Sequence, residues 1–200
     1  MILYVEINFL MSIATGRDRQ ASNLLLNTPV SVQIVIPSAC FMEALSALEA
    51  DLKYRRRFGN ELLLRLSDAK RNSNSQYAQS LSSHLEQAFQ QNEQLIEEVE
   101  ARLFEALDQL STKAEIIALT TDMFQASLQL NLTDEPTDKL ILNCILTHAR
   151  LHPTEVKVFL SGNTNDFGKT EVREALQDVG VNQYFSNSQT FRNWQRSQLN

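Results

Sequence analysis

Four short, largely apolar runs of β-forming residues, Ile2–Val5, Val32–Ile36, Glu115–Leu119 and Val156–Leu160, are separated by stretches long enough to be helices. A run without polar alternation marks a strand buried on both faces, and such strands need helices packed on either side. The intervening segments supply them. Asn8 can cap a helix with Phe9, Leu10, Ile13 and Ala14 on one face, and Leu24 to Leu26 continue the apolar pattern. Pro37-Ser38 opens a helix bearing Phe41, Met42, Leu45 and Leu48, and helices are predicted over Thr121–Leu130 and Thr137–Leu151. After the fourth run come a polar loop, a short helix from Thr170 to Val179 and an edge strand at Gln183–Phe185. This alternation implies an α/β fold, a parallel sheet flanked by helices in three Rossmann-like layers. At 200 residues the chain is one domain of ordinary size, 1–200, with room for an insertion.

That insertion runs from about 52 to 112, where no strand signal appears. Leu81, Leu85, Ala88, Leu95, Val99, Leu103, Leu107 and Leu110 recur at helical spacing, and the one turn signal is Arg71-Asn-Ser-Asn-Ser75. A helical hairpin results, its first arm continuing the second helix. Basic residues crowd that arm (Lys53, Arg55, Arg56, Arg57, Arg65, Lys70, Arg71) and acidic ones the second. Two readings stand: the arms neutralise each other, or the basic arm guides a phosphate backbone, with Arg55, Arg56 and Arg57 as substrate contacts.

The formal net charge of −6 argues against binding nucleic acid by bulk charge, though not against a local basic stripe. Cys40 and Cys144 each fall in an apolar helical segment, as buried thiols of a cytoplasmic protein do. The amino terminus lacks a basic region and meets Glu6 early, so it reads as a first strand rather than a signal peptide. No stretch is apolar for long enough to span a membrane.

Four acids stand where the elements would bring them to one rim. Glu6 ends the first strand, and Glu43 lies in the first turns of the helix after the second. Asp138 begins the helix preceding the fourth strand, and Asp166 lies in Ser161-Gly-Asn-Thr-Asn-Asp-Phe167 just after it. Sites in open parallel sheets form outside the carboxyl ends of the strands. Acids set against apolar sequence are costly unless something compensates their charge, and a shared divalent cation does so. Oxygen-only ligands suit Mg²⁺ or Mn²⁺, and such a site suits phosphodiester hydrolysis.

The order and spacing of these acids resemble the PIN-domain family of nucleases over roughly residues 1–50 and 112–190. Val-Glu-Ile-Asn-Phe-Leu matches the opening strand, acid and Asn. Glu43 follows a strand and Pro, Asp138-Lys-Leu-Ile-Leu matches an acid before an apolar helix, and Ser161-Gly-Asn163-Thr-Asn-Asp166-Phe167 matches the final strand end and its acid-Phe pair. The resemblance implies that Glu6, Glu43, Asp138 and Asp166 bind metal or orient water, with Asn8, Ser161 and Asn163 supporting them. It also implies metal-dependent cleavage of RNA that leaves a 5′-phosphate. Many such proteins are toxins of bacterial toxin–antitoxin pairs, so the partners implied are RNA, an antitoxin or other protein, and a second copy of the chain.

Two departures from the family pattern are visible. Glu6 is one methylene longer than the usual Asp, and Ile7 replaces a common Thr and supplies no hydroxyl. They favour an alternative reading, a catalytically weakened PIN fold whose hairpin stripe serves as an interaction surface. His148 and His152 lie four apart on one predicted helix, the spacing of a metal pair. Pro153 follows, and they read as structural histidines at a helix end. Asp134 and Glu135 read as helix-capping acids, and Phe191 and Trp194 as packing residues. No Gly-rich phosphate loop and no Gly-x-Ser-x-Gly turn is present.

Overall fold

β1 (Ile2–Val5) is the central strand of a five-stranded sheet, flanked by β2 (Gln33–Pro37) on one side and β4 (Lys157–Leu160) on the other. β3 (Glu115–Ile117) extends the sheet beyond β2, and β5 (Val181–Phe185) extends it beyond β4. Every pairing is parallel. The computed structural model describes residues 1–198. All four residues of β1 and of β4 are buried, as the unbroken apolar runs require. The chain builds outward from β1 in one direction and then crosses over to build in the other. The crevice between the carboxyl ends of β1 and β4 is therefore the topological switch point.

The helices are α1 (Ile7–Ala14), α2 (Arg19–Leu26), α3 (Ala39–Arg71), α4 (Gln76–Lys113), α5 (Thr121–Leu128), α6 (Pro136–Leu151), α7 (Thr170–Asp178) and α8 (Ser188–Ser197). The predicted elements occur in their order, and two helices are additional: α2, which Asp18 caps and sets apart from α1, and α8 in the polar tail. Several ends also differ. Glu6, not Asn8, caps α1, because its carboxylate accepts the Asn8 backbone N–H. β3 stops at Ile117, and the Leu119 N–H turns to the Ser38 hydroxyl instead of a strand. β5 starts at Val181, which pairs with Lys157, directly after Gly180 at φ +83° makes the turn out of α7. Phe191 is fully buried, and Trp194 packs against Phe185 at 5.3 Å between ring centroids. Cys40 and Cys144 are free, buried thiols. Among the described residues, no helix is long and apolar enough to cross a membrane.

α3 and α4 form the long hairpin, turning between Arg71 and Gln76. Its seam on α4 runs through Asn92, Ile96, Val99, Leu103, Ala106 and Leu110, alternating steps of four and three. Leu81 and Leu95, expected on that stripe, are exposed instead. At Gly59 a Cβ would meet Asn92 Nδ2 at 3.2 Å, so the two helices approach closely there and Asn92 sits in the seam. Asn92 Nδ2 also donates to the Arg55 carbonyl at 3.2 Å. At its base, Val99, Leu103 and Leu110 join the main core, so the hairpin is rooted in the domain. The lower part of the stripe is thus taken up inside the molecule, while Leu81 and Leu95 stay on the surface. One ion pair joins the arms among the described residues, Lys70–Glu86 at 2.5 Å. Arg55–Asp51, Arg65–Glu61, Arg71–Asp68 and Arg102–Glu98 stay within single helices. Compensation is mainly local, and such exposed pairs add little stability.

Candidate active site

Parallel register sets Val5 beside Leu160, so Glu6 and Ser161 leave the sheet side by side at the switch point. Glu6 is fully buried. Its Oε2 accepts the Asn8 backbone N–H at 2.8 Å and the Asn8 amide at 3.3 Å. Its Oε1 is buried with no hydrogen-bond partner. Burial raises the Glu6 carboxyl to about 7, with the Asn8 N–H and then the nearby Ser161 hydroxyl opposing and the Asp138 charge adding.

Glu43 enters from the second turn of α3, beside buried Cys40 and Ala44. Its Oε2 is likewise buried without a partner. Burial, then the charge of Asp138, raises its carboxyl to about 7. Asp138 lies in the first turn of α6, which Pro136 starts. Burial and the neighbouring Asp166 raise it to about 6, against a lowering hydrogen bond from Asn163. Asp138 is thus electrostatically coupled to Glu6, Glu43 and Asp166.

The loop after β4 is folded around Asn163. Its amide Nδ2 donates to Asp138 Oδ2 at 3.0 Å and to Asp166 Oδ2 at 3.1 Å, and its Oδ1 accepts the Asp166 N–H at 3.3 Å. Ser161 Oγ accepts the Asn163 N–H at 3.0 Å. Phe167, fully buried edge-on to Phe159, pins the loop to the core. That burial is worth about 1.5–3 kcal/mol. Asn8, Ser161 and Asn163 therefore each touch the acids or the loop that carries them.

Lys169 was not singled out by the sequence. Its ammonium donates to Asp134 Oδ2 at 2.9 Å and to Asp166 Oδ1 at 3.3 Å, putting a cation on the rim. The signal was its position three residues after Asp166, on the same turn. Of the three candidate arginines, Arg55 is tied to Asp51 at 2.5 Å. Arg56 and Arg57 are exposed and make no ion pair among the described residues.

Hard carboxylate oxygens, two of them buried and unpartnered, fit a divalent cation at this rim. The four acids are spread more widely than a closed ligand set. The group whose ligand atoms already lie within 4.8 Å of one another is Glu115, His148 and His152, away from this rim.

A five-stranded parallel sheet flanked by helices, with acids at its switch point, defines a three-layer α/β fold. A family model described as PIN domain matches residues 3–167, and the chain belongs to that family. The match contains all four acids and the whole hairpin. PIN domains are generally nucleases and typically use divalent metals. No curated protein and no solved structure matches the chain.

Proposed function

We propose that this PIN domain is a Mg²⁺- or Mn²⁺-dependent endoribonuclease. The observation that carries the reading is the pair of buried, unpartnered carboxylate oxygens, Glu6 Oε1 and Glu43 Oε2, beside Asp138. Such oxygens are expensive to bury unless their charge is met. Glu6, Glu43, Asp138 and Asp166 would hold the cation. Bound there, it would supply water activation and charge stabilisation for in-line displacement at phosphorus.

The protein's own groups set the geometry. Asn8 holds one Glu6 oxygen and leaves the other toward the rim. Asn163 fixes Asp138 and Asp166 relative to each other through one amide. Lys169 places positive charge where a phosphate oxygen would approach Asp166. A groove beside Asn8 and Gly162 is lined by Ser12, Asp18, Ser186 and Asn187; the Asp18 carboxylate is taken up by the Gln20, Ala21 and Ser188 N–H groups, and the hydroxyl and amide groups are left to meet a nucleic-acid backbone. Arg56 and Arg57 extend the basic surface along α3.

The test compares RNA and DNA oligonucleotides of one sequence in Mn²⁺. This reading expects the RNA to be cut, leaving 5′-phosphate ends. A folded chain that binds Mn²⁺ and cuts neither strand would instead support the interaction module. That second reading rests on the outward-facing Tyr54, Phe58 and Leu64 of α3.

A further inference from the structure

We propose that Glu115, His148 and His152 form a second metal site, of the Zn²⁺ class, at the far end of α6 from the acidic rim. One ligand atom from each residue lies within 4.8 Å of the other two. Asp138 and His148 are ten residues apart on α6, a rise of about 15 Å along its axis, so the two sites are separate.

The surroundings of each side chain are those of a supported ligand. His148 Nδ1 is hydrogen-bonded to the Tyr4 hydroxyl at 2.9 Å, which leaves Nε2 pointing at Glu115 Oε1, also at 2.9 Å. Glu115 Oε2 accepts the Gln33 amide at 2.5 Å, which leaves Oε1 for the site. His152 Nδ1 meets the His148 carbonyl at 3.0 Å, and a carbonyl can only accept, so Nδ1 carries a proton. In the neutral ring the free lone pair is then on Nε2. The His152 carbonyl accepts from Lys157 Nζ at 2.6 Å, so this last turn of α6 is itself fixed. Outer hydrogen bonds of this kind orient ligands around metals.

The Tyr4–His148–Glu115 chain is complete as a hydrogen-bonded network without a metal. It does not account for His152. That ring stacks on His148 at 4.3 Å between centroids with 24° between planes, and its Nε2 has no protein partner among the described residues. A metal accounts for it. Ligand distances near 2 Å at the tetrahedral angle set ligand atoms about 3.3 Å apart. The 2.9 Å His148–Glu115 separation is close to that value, and His152 offers its ligand atom within 4.8 Å of both. Zn²⁺ would take the Nδ1–H tautomer of neutral His148, with Nδ1–H donating to the Tyr4 oxygen and the Nε2 lone pair meeting the cation beside the ionised Glu115 Oε1.

Two imidazoles and one carboxylate suit Zn²⁺ better than Mg²⁺ or Mn²⁺, the reverse of the oxygen-only rim. Glu115 and His152 are half-buried, so a fourth position stays open to water. The cation would clamp the end of α6 to β3 and, through Tyr4, to β1.

The test titrates chelator-stripped full-length protein with ZnCl₂ alone by calorimetry, with Co²⁺ absorption reporting tetrahedral geometry. His152→Phe keeps the stacked ring and removes the ligand nitrogen, and Glu115→Gln removes the charge. A Zn²⁺ site with tetrahedral Co²⁺ absorption, weakened at least about 10-fold by either variant and unchanged by Glu43→Gln, is the expected result, whether or not the rim takes a further equivalent. Three results would overturn the proposal: no Zn²⁺ binding by the folded wild type, undiminished binding by His152→Phe, or binding abolished by Glu43→Gln.

Discussion

Glu6 accepts the backbone N–H of Asn8 at 2.8 Å through one carboxylate oxygen, while its other oxygen is buried without a partner. One side chain thus caps the start of α1 and belongs to the acidic rim. The cap helps to compensate a charge that strand burial disfavours, and it fixes the direction of the second oxygen. A Glu at this position spans both tasks, and Ile7 adds nothing polar to either.

Glu6 sets a pH dependence of folding. Its folded value, about 7, lies above the ordinary 4.5, so the native state holds a proton that the unfolded chain has lost between them. Without metal, stability contributed by the protonated form is complete below 4.5 and is lost as pH rises through about 7. Glu6→Gln removes that loss. Urea unfolding in chelator should show the variant more stable than wild type at about pH 8, by on the order of 2–3 kcal/mol, and the gap should close by about pH 4.

Divalent cations should reverse the trend. Glu43 at about 7 and Asp138 at about 6 must shed protons to bind metal. Mn²⁺ should therefore raise the Tm more at about pH 8 than at about pH 5. Asp138→Asn should remove most of that increment while leaving the circular dichroism spectrum unchanged.

Gly168 governs the loop that carries Asp166. A Cβ there would lie 2.3 Å from the Thr164 carbonyl oxygen, a backbone atom that cannot move alone. Gly168→Ala should cost about 1–3 kcal/mol and slow cleavage, because the Asn163 bridge moves with the turn. Gly162→Ala, whose Cβ meets Asn8 at an ordinary 3.4 Å, is the matched control for folding and should retain wild-type stability.

Arg56 and Arg57 should act on binding rather than on the chemical step. Replacing both with Ala should raise KM for single-stranded RNA and leave kcat unchanged. It should also flatten the dependence of log affinity on log salt by about 1.4, the release expected for two lost phosphate contacts.

The sheet was legible because its inner strands are unbroken apolar runs, as in Ile2–Val5. The acids were legible because each adjoins a strand end or helix start. The hairpin face is not legible at Leu81 and Leu95, because spacing marks a stripe but not which side meets the partner helix. Glu115 lies 33 residues before His148, and β3 brings it there through sheet pairing that no local pattern encodes. Lys169 joined the rim only once the Asn163 turn had folded the loop back on Asp166.

The most direct measurement is Mn²⁺-dependent cleavage of an end-labelled RNA pool by the purified chain, beside Asp138→Ala prepared identically. The account predicts discrete 5′-phosphate products from wild type that disappear with chelator and in the variant. Equal cleavage by both proteins, or none by folded, Mn²⁺-loaded wild type, would contradict it.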